Sequence, residues 1–366
     1  MANEASAENS SAELVEVRNI EESDLEMLEV PQGVLTKLLA GVDLLPGRNT
    51  LPAGRIEVGM DSAVIPLARN NLVLVQSVDF FYPLVDDPVV MGRIAFANMA
   101  SDIYATGVDV LDKVSMICSC PEEFSEVERD VIIPLIVKGF REAAVEAGCE
   151  VTVRGFAVNP WCILGGVATS ICRPEEVIYP GNAVPGDVLV LTKPLGTQLA
   201  TNAYLWMLDD SDSWRKLKES FEEDEILQIY RKAVDSMTFL NRTAAQLMHK
   251  YSAHAATDIT GFGLVGHARN LVGFQKNSLK FIVNILPIFG NVEKMARILG
   301  REKKLLAGEA VETSGGLLIA LKREFAMEFC QEFKEKTSRK AWIVGFVEDS
   351  VSPDVEVVEG CTVIDV

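Results

Sequence analysis

The chain has 366 residues, enough for two or three domains, and its 48% hydrophobic content is typical of a globular protein. Its 34 Lys and Arg against 53 Asp and Glu give a net charge of −19, which argues against nucleic acid or a membrane surface as a partner. The seven cysteines form no C-x-x-C pair and no apolar run reaches about 18 residues, so we expect reduced thiols and a cytoplasmic protein.

The N-terminal segment 1–29 is strongly acidic. It carries nine Asp or Glu residues against a single Arg, and its first half has few side chains that a core would bury. We therefore predict a disordered acidic tail over 1–29.

Strands and helices are predicted to alternate in the first half of the chain. Apolar spacing and turn residues indicate a strand over 71–81, a helix over 87–107, a strand over 113–120, a helix over 125–148 and a strand over 161–173. A segment rich in Pro and Gly follows and predicts a domain boundary near residue 185, which separates domain 30–185 from domain 186–366.

The second half repeats the alternation. We predict a strand over 187–194, a helix over 195–208, a polar linker over 209–220, a long helix over 222–251, a Gly-rich segment over 256–268 that leads into a helix, a strand over 280–286, a helix over 288–299, a strand over 315–321, a helix over 323–336 and a strand over 341–347. Alternation in both halves indicates an α/β or α+β fold.

Gly261, Gly263 and Gly266 form the G-x-G-x-x-G pattern that cradles a pyrophosphate when it follows a strand and opens a helix. The preceding segment is short and polar for a buried strand, and the next acidic residue downstream is Glu293. The sequence therefore favours a tight turn with a closely packed helix over a dinucleotide site.

Four aspartates occupy positions suited to a magnesium–polyphosphate site: Asp61, Asp79, Asp102 and Asp258. They stand at predicted strand ends or beside small residues, and Asn98 lies one helical turn before Asp102 on the same face. Mg²⁺ takes oxygen ligands, usually one or two carboxylates completed by water and phosphate. Taken singly, each aspartate is also typical of a helix cap or a turn.

Together these residues belong to longer motifs that resemble selenophosphate synthetase (selenide, water dikinase) in its animal form. The resemblance covers about 30–347 and is carried by GMDSAVIP, VDFFYPLVDDPVVMGRIAFANMASDIYATGV, NPWCILGGVATS, NAVPGDVLVLTKPLGTQ, LNRTAAQLMH, HAATDITGFGLVGHARNL, ETSGGLLIAL and AWIVGFVE. It implies a two-domain, aminoimidazole-ribonucleotide-synthetase-like α/β fold, paired into a homodimer through the N-terminal domains, that makes selenophosphate, AMP and phosphate from ATP, selenide and water.

The resemblance also implies residue roles. Asp61, Asp102 and Asp258 would bind Mg²⁺. The ATP site would include Gly59, Met60, Asp61, Asp79 and Asp102.

One departure from the family falls on its catalytic loop. Active members carry Cys or selenocysteine, then Lys, before the V-P-Q of the first helix, whereas Leu28 and Glu29 occupy these two positions here. Leucine has no lone pair for a nucleophilic step. Glu29 in place of Lys shifts the local charge by two units, each worth roughly 1–4 kcal/mol near a phosphate at about 4 Å. We therefore predict that no catalytic nucleophile remains.

A second departure replaces the family's phosphate-contacting G-G-Q-T loop with Val-Arg-Gly-Phe over 153–156. Arg154, next to Gly155, is a candidate phosphate ligand because a guanidinium binds phosphate well. A solvated loop residue is the alternative, and the sequence leaves both open.

Other polar residues are given ordinary roles. We expect Lys193 to be a strand-end surface lysine, and Cys118 and Cys120 to be core thiols. We expect packing or surface roles for the three histidines, which lack an acidic partner at catalytic spacing: His249, His254 and His267.

Three hypotheses follow. The first is an inactive selenide, water dikinase homologue with a regulatory or structural role, as a homodimer or as a heterodimer with an active homologue. The second is an active ATP- and Mg²⁺-dependent phosphotransferase, of the selenide, water dikinase type or acting on another acceptor. The third is a pure interaction module without nucleotide affinity.

Overall fold

The structure, a computed structural model, describes residues 61–68 and 70–366. The predicted acidic tail, Leu28, Glu29, Gly59 and Met60 lie outside the described residues.

The first part of the fold is a mixed sheet covered by two long helices. Its elements are β1 (Ala63–Pro66), β2 (Val73–Phe81), α1 (Pro88–Ala105), β3 (Lys113–Pro121), α2 (Glu126–Ala147), β4 (Val151–Thr152), β5 (Ala157–Asn159) and β6 (Leu164–Cys172). The strand order is β1-β2-β6-β3-β4, with β5 also beside β3. Helix α1 packs on β2 and β6, and α2 packs against α1.

The start of helix α1 is fixed by the residues around it in the sequence. The carboxylate of Asp87 accepts hydrogen bonds from the amides of Val89 (2.8 Å) and Val90 (3.1 Å), and Pro88 occupies the first helical position. The helix is therefore in register to carry Asn98 and Asp102 on one face, one turn apart.

The second part is another six-stranded mixed sheet, with helices on both faces. Its elements are β7 (Asp187–Leu191), α3 (Thr197–Leu208), α4 (Asp212–Leu217), α5 (Glu223–Thr238), α6 (Arg242–Lys250), β8 (Ala255–Asp258), α7 (Gly263–Gly273), β9 (Leu279–Ile288), α8 (Val292–Ile298), α9 (Glu302–Leu306), β10 (Leu317–Lys322), α10 (Arg323–Thr337), β11 (Trp342–Asp349) and β12 (Asp354–Asp365). The strand order is β12-β9-β11-β7-β10-β8, so β8 is an edge strand.

Strand β7 explains why this region of the sequence is continuously apolar. Leu189 and Leu191 lie in the core on one face of the sheet, and Val188 and Val190 lie in the core on the other. A strand covered on both faces has no polar alternation. The two mixed sheets with their covering helices confirm the predicted α/β fold class.

The prediction of one long helix over 222–251 is wrong, because the segment forms two helices, α5 and α6. The break is fixed by Asn241, whose buried amide nitrogen donates to the hydroxyl of Ser101 and to the carbonyl of Gly315, both at 2.9 Å. Phe239, at the end of α5, has an extended backbone. Contacts with two distant segments therefore override local helix propensity here.

The predicted polar linker 209–220 is wrong in part, because it contains α4. Trp214 and Leu217 of this short helix are buried, and the hydroxyl of Ser211 caps its N-terminus. Five further elements were not predicted: α9 and β12 in this part, and β1, β4 and β5 in the first part.

Strand β8 also differs from expectation. All four of its residues are buried, so the glycine motif does follow a strand, and α7 begins within it. Gly263 has φ +68, and a Cβ at this position would lie 2.5 Å from the carbonyl oxygen of Ala310. The expected tight turn and closely packed helix are confirmed, although the argument from a missing strand was wrong.

No helix within the described ranges 61–68 and 70–366 is long and apolar enough to cross a bilayer.

Candidate functional site

The four aspartates singled out in the sequence converge where β8, at the edge of the second sheet, meets α1. Asp61 precedes β1, Asp79 lies near the end of β2, Asp102 is in α1, and Asp258 ends β8. Helix α1 contacts both β2 and β8 and so brings residues from the two sheets together.

Hydrogen bonds fix three of these carboxylates. The hydroxyl of Ser77 donates to Asp102, and the amide of Asn98 donates to Asp79. Ser77 and Asp79 point to the same face of β2, and Asn98 and Asp102 share the facing side of α1, as predicted.

The third link joins the two sheets directly. The hydroxyl of Thr257 in β8 donates to Oδ1 of Asp61 at 2.9 Å. Asp61 and Asp258 therefore come together although they are far apart in sequence.

The aspartates of the site lie close enough for their charges to raise one another's pKa. Burial raises the pKa of Asp61 well above its ordinary value, and the charge of Asp258 raises it further. Burial likewise raises the pKa of Asp102, with additional contributions from Asp258, Asp79 and Asp61. Each carboxylate thus makes its neighbours harder to ionise.

Asp79 and Asp258 are shifted less. Burial raises the pKa of Asp79 to about 6, against hydrogen bonds from the Phe80 amide and Asn98 that lower it. Burial also raises the pKa of Asp258 to about 6, opposed by the hydroxyl of Ser101 and the charge of Lys193. At neutral pH the group holds negative charge that a cation would stabilise.

The donor set fits Mg²⁺. Oδ2 of Asp258 is buried and has no hydrogen-bond partner among the described residues, and the other candidate ligands are carboxylates. Within that same part of the chain, no three His, Cys, Asp or Glu side chains are close enough to hold a metal ion by themselves. A magnesium ion here would need oxygens from water and phosphate, which is its usual coordination in nucleotide sites.

Lys193 is a site residue that sequence reasoning missed. The expected surface lysine is 2% exposed, and its Nζ donates to the carbonyl oxygens of Phe239 (2.7 Å) and Ser314 (2.8 Å). Burial lowers its pKa to about 7, helped by the charge of Arg339 and opposed by Asp258 and Asp235. No local feature of the sequence indicated its burial, because Lys193 stands two residues after β7, a position that surface lysines also occupy.

The segment over 312–316, hereafter the 312–316 loop, was also missed. The amide of Ser314 donates to Oδ1 of Asn98 at 2.9 Å. Glu312 accepts hydrogen bonds from the amides of Gly196 (2.6 Å) and Thr197 (2.9 Å) at the N-terminus of α3, and burial raises its pKa to about 7. This loop therefore connects α3 to the residue that holds Asp79.

Arg154 and Gly155 have no recorded contact with the carboxylate group in the described part of the chain. Both are exposed in the connection between β4 and β5, and Arg154 has no hydrogen-bond or ion-pair partner among the described residues. Its role as a phosphate ligand stays a prediction, as do those of Gly59 and Met60.

All three histidines have contacts outside the carboxylate group, and Nε2 of His249 lies 3.0 Å from the carbonyl oxygen of Gly107. The expectation that none has an acidic partner is wrong for His254, whose Nδ1 lies 2.8 Å from Oδ2 of the buried Asp187. His267 is buried beside the hydroxyl of Thr260 (3.0 Å), and burial lowers its pKa to about 4. The side chains of His254 and His267 therefore pack beside the second sheet.

The two strand cysteines are core thiols, as expected. Cys118 and Cys120 are buried, and burial raises the pKa of Cys118 to about 12. A thiol that resists ionisation is a poor nucleophile and a poor redox group.

Family models match most of the chain. Residues 59–160 match AIR synthase related protein, N-terminal domain, and residues 184–358 match AIR synthase related protein, C-terminal domain. The two matches agree with the aminoimidazole-ribonucleotide-synthetase-like two-domain α/β fold expected from the sequence.

Relatives that match over most of the chain identify the family more closely. The chain is 48% identical to Selenide, water dikinase 2 of Drosophila melanogaster over 344 residues, covering 92% of each protein. It is 49% identical to Selenide, water dikinase 2 of Homo sapiens over 348 residues, covering 87% of this chain and 77% of the relative. Among solved structures, Hydrogenase Maturation Protein HypE in complex with ATP is similar with a TM-score of 0.59 at 17% identity, covering 90% of this chain and 93% of that one.

The structural similarity supports the fold, and the sequence identity over nearly the whole chain supports a narrower assignment. The chain belongs to the selenide, water dikinase (selenophosphate synthetase) family.

Proposed function

We propose that this protein is a nucleotide-binding member of the selenide, water dikinase family that has lost selenide chemistry and acts as a regulatory or structural dimer in the cytoplasm. The observation that carries the proposal is the group of four buried or half-buried aspartates that raise one another's pKa. Such a group is costly to keep in a folded protein unless a cation offsets its charge.

Mg²⁺ and ATP are the proposed ligands. Asp61, Asp102 and Asp258 would hold the metal together with oxygens from water and phosphate, with Asp79 at the nucleotide. Bound there, Mg²⁺ would offset the charge of the phosphates and of the carboxylates. HypE, which shares the fold, has been solved with ATP.

The proposed loss of selenide chemistry depends on the sequence. The nucleophile and lysine positions are Leu28 and Glu29, and neither side chain supplies the chemistry of Cys and Lys. The remaining residues would bind a nucleotide without making selenophosphate.

The dimer is proposed to form through the open face of the first sheet. Val78 and Phe80 of β2 are 56% and 55% exposed, and Ile171 on the adjoining β6 is 48% exposed. Trp161, in the connection between β5 and β6, is 57% exposed as well. A contiguous apolar surface on a sheet is a common protein interface. The same surface would accept a second copy of this chain or an active homologue.

Titration calorimetry with ATP and Mg²⁺ tests the proposal. We expect micromolar binding to the full-length protein, and loss of binding in Asp61→Asn and Asp258→Asn. Asp349→Asn is the matched control, because Asp349 also ends a strand of the second sheet but is exposed. Absence of binding to the unchanged protein would favour the interaction module.

A second assay separates a pseudoenzyme from an active phosphotransferase. The protein would be incubated with Mg²⁺ and ATP, with and without selenide, and AMP, ADP and selenophosphate would be quantified. We expect none above background. Selenophosphate at the rate of an active member would overturn the proposal, whereas hydrolysis without selenide would indicate another acceptor.

A further inference from the structure

Lys193 occupies an unusual position for a lysine. It is the only buried Lys or Arg in the described part of the chain, and it lies beside the carboxylate group without being a metal ligand. Burying an ammonium group is unfavourable unless its N–H donors are satisfied, so a buried lysine must find hydrogen-bond acceptors inside the fold.

The ammonium group of Lys193 holds two chain segments together. It donates to the carbonyl of Phe239, at the break between α5 and α6, and to the carbonyl of Ser314 in the 312–316 loop. The hydroxyl of Ser314 also donates to the carbonyl of Met237 at 2.7 Å. The loop is therefore fixed to the end of α5 by two independent bonds.

The same loop residue holds Asn98. The amide of Ser314 donates to Oδ1 of Asn98, which leaves the side-chain nitrogen of Asn98 directed at Asp79. Because an amide side chain can rotate by half a turn, the bond from Ser314 determines which end of Asn98 faces the carboxylate. A chain of contacts thus runs from Lys193 to Asp79.

The charge of Lys193 also acts on Asp258. It favours the ionised form of this carboxylate, one oxygen of which is buried without a hydrogen-bond partner among the described residues. Lys193 therefore influences carboxylates on both sides of the site.

We propose that Lys193 is a positioning residue for the magnesium–nucleotide site: it fixes the 312–316 loop so that Ser314 orients Asn98 toward Asp79. This inference rests on the proposed nucleotide-binding function. It gives a role to the segment LTKPLG over 191–196, which contributes no carboxylate to the site.

A purely structural role makes the opposite prediction. If Lys193 served only to hold the fold, its replacement by Met would lower the melting temperature and leave the affinity of the folded protein unchanged. A positioning role predicts lower affinity at an unchanged or higher melting temperature, because replacing a buried charge by an apolar side chain is often neutral or stabilising.

The test is calorimetric titration of full-length Lys193→Met with ATP and Mg²⁺, together with its thermal unfolding. We expect the Kd to rise about 10–100-fold, as is typical when a residue behind the metal ligands is removed. Lys322→Met is the matched control, because Lys322 ends the neighbouring strand β10 and also lies about as far from a phenylalanine ring, 6.0 Å against 5.9 Å, but is exposed. We expect the control to bind like the unchanged protein.

Each outcome decides the question. Wild-type affinity in Lys193→Met overturns the positioning role. Loss of affinity in Asp258→Asn but not in Lys193→Met leaves the proposed function standing without this inference, and absence of binding to the unchanged protein overturns both. If Lys193→Met does not fold, Lys193→Gln, which retains a donor, is titrated under the same expectation.

Discussion

The backbone amide of Ser314 donates a 2.9 Å hydrogen bond to Oδ1 of Asn98, although the two residues lie 216 positions apart. The bond joins the segment before β10, in the second sheet, to the helix that covers the first sheet. Asn98 in turn holds Asp79, so the candidate site depends on the two sheets keeping their relative position.

Asn98→Asp should destabilise the protein. The change replaces the donor that faces Asp79 by a second carboxylate in a buried position. We expect the free energy of unfolding at pH 7.5 to fall by about 1–3 kcal/mol, measured by urea denaturation. Asn71→Asp, in an exposed turn, is the control, and equal denaturation midpoints for the two variants would contradict the assigned contact.

Glu312 should make stability depend on pH. Burial raises its pKa from 4.5 to about 7, so the folded state keeps a proton that the unfolded state has already released. The resulting stability is fully present below pH 4.5 and is lost as the pH rises through 7.

The size of this loss is on the order of 3 kcal/mol for a fully buried group. We expect Glu312→Gln to unfold with a flatter pH dependence than the unchanged protein between pH 4.5 and 7.5, followed by urea denaturation at several pH values. Glu359→Gln, on the exposed part of β12, should keep the original slope. Parallel curves for Glu312→Gln and the unchanged protein would refute the assignment.

Gly263→Ala should cost more stability than Gly300→Ala. Both glycines have positive φ, +68 and +72, so both substitutions strain the backbone similarly. Only at Gly263 would the new methyl group meet another chain segment, 2.5 Å from the carbonyl oxygen of Ala310, whereas nothing lies within 4 Å at Gly300.

We expect about 1 kcal/mol of strain in each variant and a further 1–3 kcal/mol at Gly263. Chemical denaturation of the two variants measures the difference. Equal losses of stability would show that the start of α7 can move away from Ala310 without cost.

Phe80→Asp should disrupt the proposed dimer. A carboxylate on the apolar sheet face would be desolvated on association. We expect sedimentation velocity to show a dimer for the unchanged protein and a monomer for Phe80→Asp, with Val145→Asp on exposed α2 as control. If Phe80→Asp stays dimeric, the interface lies elsewhere.

Much of the carboxylate group was predictable from local patterns. Strand ends and a helix face gave four aspartates with suitable chemistry, and the hydrogen bonds of Asn98 and Asp102 agree with their expected placement on one face of α1. These features depend on periods of two and of 3.6 residues, which a sequence displays directly.

The residues that sequence reasoning missed depend on contacts between distant segments. Lys193 follows an apolar strand, as many surface lysines do, and only its bond to Ser314, 121 residues away, accounts for its burial. Asn241 interrupts a helical pattern for the same kind of reason, since its partners are in α1 and the 312–316 loop. Strand β8 was rejected as too polar, yet its Thr257 is satisfied by Asp61.

The link between Asn98 and Ser314 has a consequence for the order in which the protein is made. Asp79 and Asn98 leave the ribosome long before Ser314, and β10 follows only after residue 316. Contacts of such sequence separation form late, because a long loop must close first. The nascent first sheet therefore emerges with Asp79 and Asp102 but without the bond from Ser314 that orients Asn98, and the site becomes complete only when most of the chain has been synthesised.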